Sequence, residues 1–103
     1  MRTAADLLRD AAALIADPQA WCKGVESPDQ MCAAHALCEA HQRGRGDYSG
    51  ALDALASAVG VTSVPTGVWL SSAVGRWNDA DERTHAEVLA AFEKAARLAE
   101  AAP

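Results

Sequence analysis

Aromatic residues are scarce in this chain: one Phe, one Tyr and three Trp among 103 residues. Large aliphatic residues are few as well, with nine Leu, seven Val and one Ile. A core built from these is small, so one domain with a modest stability margin is expected. No run of about 18 apolar residues occurs, which leaves no candidate for a membrane-spanning helix. The opening MRTAADLLRD has no apolar stretch of the kind a secretion signal carries, so export is not expected. Basic residues are outnumbered, nine against fourteen acidic, for a net charge of −5. A nucleic-acid surface needs a basic stripe, so no nucleic-acid partner is expected. Cysteines number three, Cys22, Cys32 and Cys38. An odd count without an export signal reads as reduced thiols in a cytoplasm. There is no phosphate-binding glycine loop and no dinucleotide fingerprint.

What the chain has in abundance is alanine, 25 residues of it. Alanine is the best helix former and lets helices approach closely. The pattern predicts an all-α, compact bundle of about five helices. The first runs from about Ala4 to Ala16, with Thr3 as N-cap and Asp6 three residues on. Asp17-Pro18 ends it, and the stretch after it reads as a loop. The second opens at Ser27-Pro28-Asp29-Gln30, with Ser as N-cap, Pro at N1 and Gln at N3. It spans about 28–42 and is apolar nearly all round, which places it centrally, with the first, third and fifth helices around it. Arg43 to Asp47 form a short turn, so Arg45-Gly46-Asp47 reads as a connection and not as an adhesion motif. The third helix covers about Tyr48 to Val59, with Gly60 just past its end. A short fourth covers about Val68 to Val74 and stops at Gly75. Asn78 to Glu82 read as an acidic turn. The fifth opens at the capping box Thr84 to Glu87 and runs to about Ala101.

Three groups of residues could carry chemistry. The first is Cys22, Cys32 and His35, with Cys38 nearby. Zinc accepts such donors, but their spacing matches no zinc module, and helical Cys32 and Cys38 point about 120° apart. No metal is expected. As a thiol site, Cys32 beside His35, with Asn78 or Asp79 to orient the imidazole, has the residue types of a cysteine hydrolase. The bland reading makes the cysteines small packing residues and His35 a core histidine bonded to Glu39. A Cys22–Cys32 disulfide would also span the first loop, though a cytoplasm disfavours it. The second group is Trp77, Asn78, Asp79 and Arg83. Trp77 anchors the turn, the short polar side chains satisfy backbone amides ahead of the last helix, and Arg83 pairs with an acid. The alternative is a ligand or partner contact. The third is Trp69, a core filler or an exposed partner anchor.

The chain resembles a family of small uncharacterised proteins of actinobacteria and their phages. The resemblance rests on Trp21-Cys22-x-Gly24, then Cys32-Ala33-x-x-Ala36-Leu37, Trp77-Asn78-Asp79 and Arg83-Thr84-x-x-Glu87-Val88. It covers most of the chain. It departs at His35, where the family pattern implies a glycine. The resemblance implies no activity, but it does imply one shared feature made by Trp21, Cys22, Cys32 and the Trp77–Thr84 segment, with the first loop packed against the last turn. The leading expectation is a small acidic cytoplasmic interaction or regulatory protein without catalysis of its own. It takes a protein partner or forms a homodimer, and uses no cofactor and no membrane. The alternative is a small enzyme or ligand-binding protein using Cys22, Cys32 and His35.

Overall fold

Thr3 opens the first helix as its sequence requires. In the computed structural model, which describes residues 2–24 and 27–101, the Thr3 hydroxyl accepts from Asp6 N–H at 3.1 Å. Asp6 carboxylate accepts from Thr3 N–H at 3.0 Å. This reciprocal cap starts α1, Ala4–Leu14. Leu7, Leu8 and Ala11 face inward, and Ile15 is buried just beyond. The helix stops two residues earlier than expected, because Asp17 caps a 3-10 turn, Pro18–Ala20, by accepting from Gln19 N–H at 2.9 Å.

The described residues form four more helices: α2, Ala33–Gly44; α3, Tyr48–Ala58; α4, Leu70–Asp79; and α5, His85–Ala101. The expected start of α2 at Ser27 is corrected to Ala33. Ser27 to Gln30 close a tight turn instead, with Gln30 N–H on Ser27 C=O at 3.1 Å. Met31 N–H donates to Ala20 C=O at 2.9 Å, and Cys22 N–H donates to Met31 C=O at 3.2 Å. A backbone paired in this way cannot wind into a helix. Ser followed by Pro is as good an opening for a β-turn as for a helix, and tertiary pairing decides. Cys32 becomes the N-cap, its sulfur accepting from His35 N–H at 3.4 Å.

Nor is α2 apolar all round. Ala33, Ala36, Leu37 and Ala40 make one buried stripe, while His35, Gln42 and Arg43 are exposed. Helices α1, α3 and α4 pack on it. The broadest interfaces are those of α5 with α1 and α3, so α5 takes its place beside those two instead of against α2. Arg9 adds a fork on Glu100 at 2.8 and 3.0 Å, tying α1 to α5.

Between α2 and α3 the chain crosses its own beginning. Asp47 N–H donates to Arg2 C=O at 3.3 Å. Gly46 sits there at φ +117°, and a Cβ on it would lie 2.5 Å from Arg2 C=O. Only glycine fits both the torsion and the contact. At the end of α3, Gly60 N–H bonds Ser57 C=O and Val61 N–H bonds Ala56 C=O, a glycine-terminated cap of the expected kind.

The fourth helix is longer than its sequence suggests. It begins at Leu70 and continues through Gly75 to Asp79. Glycine inside a helix costs about 1 kcal/mol relative to alanine, and the burial of Val74 and Asn78, one turn apart, offsets it. The expected acidic turn therefore starts later, because Asn78 and Asp79 lie on the last turn of α4. Thr84 and Glu87 form the predicted capping box at α5, with bonds of 2.9 and 3.2 Å. Among the described residues, ten of the eighteen buried hydrophobics are alanines. Small side chains therefore set how closely these helices approach.

Candidate functional site

Asn78 is completely buried. Its Oδ1 accepts from Trp21 Nε1–H at 2.6 Å and from Ala33 N–H at 3.1 Å. Its Nδ2 donates to Cys22 C=O and to Asp79 Oδ1, both at 3.0 Å. Both hydrogens and two acceptor positions of the amide are thereby used. Asp79 Oδ1 also accepts from Gly24 N–H at 2.9 Å, and Lys23 Nζ donates to Asp81 C=O at 2.9 Å. The first loop, from Trp21 to Cys32, is thus fastened to the end of α4 and the turn after it. Trp21, Cys22 and the Trp77–Thr84 segment meet here; Cys32, the fourth part of the feature that the motif resemblance implies, caps α2 next to Ala33 and lines a separate groove.

The remaining motif residues extend this clasp. Arg83 Nε–H donates to Trp77 C=O at 2.9 Å, and the guanidinium carbon lies 4.1 Å from the centre of the Trp77 ring. The same side chain pairs with Glu87 at 3.2 Å. Hydrogen bonds from Thr84, with Arg83 nearby, hold the Glu87 carboxyl below its ordinary pKa. His85 was not singled out by the sequence. Its ring lies 5.7 Å from the Trp21 ring, and its Nε2 is 2.7 Å from Ile15 C=O at the end of α1. Nothing local signals such a bond across seventy residues.

The thiol candidates divide. Cys32 and His35 line an open groove of about 360 Å³ between α2 and α4, and Cys22 does not. Ala34 and Gly75 line it too, with Cys38, Tyr48, Ser71 and Ser72, four residues the thiol-site reading left out or held at its edge. Burial holds the Tyr48 hydroxyl above the usual phenol range, and the neighbouring Cys38 adds to this. Cys32 and Cys38 are half-buried and His35 is exposed, so His35 is no core histidine. The three cysteines form no disulfide. Among the described residues no three His, Cys, Asp or Glu side chains gather closely enough to hold a metal ion.

Trp69 stands apart from both groups. It is the N-cap residue of α4, its side chain makes no capping bond, and it is 78% exposed. The turn before it is fixed: Val68 N–H donates to Pro65 C=O at 3.1 Å, and Gly67 takes φ +86°. That is the glycine position of a type II turn.

Fold and clasp together define an all-α fold, with five helices among the described residues, whose α1–α2 connection is fastened by a buried asparagine. The chain belongs to a family of unknown function (DUF6197), whose family model matches residues 1–98. Searches of curated proteins and of solved structures return no match. Among the described residues no helix is long and apolar enough to cross a membrane.

Proposed function

We propose that this protein is a small acidic interaction module without catalysis of its own, and that Trp69 anchors its protein partner. The observation that carries this reading is the placement of Trp69. The other two tryptophans are tied into the clasp, through Asn78 and Arg83. Trp69 alone is turned outward, on a turn held by its own hydrogen bond. Tryptophan is enriched among residues that dominate interface energetics, where a rigid aromatic body fills a partner's pocket. The clasp residues Trp77, Asn78, Asp79 and Arg83 serve the same reading indirectly, by fixing the C-terminal end of the helix that begins beside Trp69. A cytoplasmic setting fits the net charge and the three thiols. The motif pattern supports an origin among actinobacteria and their phages. A homodimer is one form the interaction can take.

The test is site-specific photocrosslinking in cells of the source organism. A benzophenone amino acid replaces Trp69 in one variant and exposed Ala86 in another. The expected result is a discrete adduct at position 69 that is absent at 86. An adduct of twice the protein's mass makes the partner a second copy. Equal smears at both positions, or no adduct at 69, overturn the reading.

A further inference from the structure

The groove between α2 and α4 gathers nucleophilic and hydroxyl groups that the clasp does not use. Its wall carries two thiols, Cys32 and Cys38, with the His35 imidazole and the hydroxyls of Tyr48, Ser71 and Ser72. Among the described residues no carboxylate, lysine or arginine lines it. Its volume, about 360 Å³, falls at the lower end of the range for small-molecule sites.

We propose that this groove is a covalent site for small polar disulfides, with Cys32 as the attacking thiol. The two thiols differ in position. Cys32 sulfur stands at the N-terminal end of α2 and accepts a backbone N–H, an arrangement that favours the thiolate. Cys38 sulfur also accepts an N–H, from Gln42 Nε2 at 3.6 Å, but it lies on the flank of the same helix, away from the N-terminal end that sets Cys32 apart. In the exchange, Cys32 thiolate attacks one sulfur of R–S–S–R. The S–S bond breaks, the Cys32–S–S–R bond forms, and R–S⁻ leaves and takes a proton from water. The bound R group then lies against the hydroxyls of Ser71, Ser72 and Tyr48. This reading is independent of a partner at Trp69.

The experiment exposes the native protein to 2-hydroxyethyl disulfide for timed intervals, followed by acid quench, intact mass and peptide mapping. One adduct is expected, on Cys32, at least tenfold faster than on Cys22 or Cys38. Cys32→Ser should abolish it while keeping the fold, since serine is itself a good N-cap. Ser72→Phe, at an exposed position that fills the groove, should slow it at least fivefold with helicity unchanged. First labelling at Cys22 or Cys38 overturns the proposal. So does labelling of Cys32 only in denaturant, or a Ser72→Phe rate equal to wild type.

Discussion

Replacing Asn78 by alanine is the sharpest test of the clasp. The substitution strands three groups that now share one amide: the Trp21 indole N–H, the Ala33 N–H and the Cys22 C=O. A buried polar group left without a partner costs about 1–3 kcal/mol; the Ala33 bond is buried and the other two are half-buried, so the sum is roughly 3 kcal/mol if the loop stays docked. The loop need not stay docked. Once its fastening costs more than its contacts return, Trp21 to Met31 can swing into water, and the loss stops at the free energy of docking. A net loss of about 3 kcal/mol follows, a large part of a margin that runs from about 5 kcal/mol upward in small domains. The midpoint of thermal unfolding should then fall by about 12–24 °C, at roughly 4–8 °C per kcal/mol for a domain of this size. Urea unfolding followed by circular dichroism measures the loss directly. Pairing Asn78→Ala with Trp21→Phe in a double-mutant cycle isolates the 2.6 Å bond, for which a coupling of at least about 1 kcal/mol is expected. An Asn78→Ala protein within about 1 kcal/mol of wild type, or a coupling near zero, refutes the reasoning.

Two glycines should respond in opposite directions. Gly46→Ala forces a Cβ against Arg2 C=O at φ +117° and should destabilise by about 1–3 kcal/mol. Gly75→Ala meets open space in mid-helix and should stabilise by about 0.5–1 kcal/mol. Urea midpoints of the two variants check both signs. Acid should weaken the fold through three carboxylates: Asp6 and Glu87, lowered first by their capping bonds, and Glu100, lowered first by its bond to Arg9. Each is depressed in the folded state, so its contribution is complete above the ordinary values of 3.8 and 4.5 and is lost as pH falls through the depressed ones. Glu87→Gln keeps a capping side chain but not the titration, so its stability should fall less steeply below about pH 4.5 than wild type's; parallel curves would contradict this. Trp69→Ala should leave the unfolding midpoint within about 0.5 kcal/mol, as a surface residue with no structural duty does, and a larger loss would mean that the fold uses it.

How much of this was legible beforehand depends on the range of the forces involved. Helices α1, α3 and α5 could be read nearly to their ends because caps and stripes act within a few residues: Thr3 with Asp6, Gly60, Thr84 with Glu87. The start of α2 was misplaced because Ser27-Pro28-Asp29-Gln30 suits a turn as well as a helix. The deciding bond, Met31 to Ala20, links residues that no helical pattern connects. Gly75 looked like a stop because its cost is local, while the compensating burial of Val74 and Asn78 is tertiary. The clasp was visible only as a set of motifs, since Trp21 and Asn78 lie 57 positions apart. The groove was half visible: Cys32 and His35 share a helix, whereas Tyr48, Ser71 and Ser72 arrive from two others.

Composition explains why the fastening is polar. A long loop is usually held by pressing a large apolar side chain into the core. Here alanine makes up most of the buried hydrophobic set, and close helix approach leaves little space for such an insertion. Among its described residues the loop offers Trp21 and Met31 as large apolar side chains, both only half-buried. Its apolar contacts therefore contribute part of what the same residues would contribute at full burial. A single buried amide does what packing cannot, because it pairs with an indole, a helix N-terminus and a loop carbonyl at once. The same amide fixes Ala33 N–H at the start of α2 and thereby the place where Cys32 must cap. If that is correct, Asn78→Ala should also change the reactivity of Cys32, although Asn78 does not line the groove. Slower disulfide exchange in a variant whose α2 remains helical would link clasp and groove; an unchanged rate would show that α2 holds its own N-terminus.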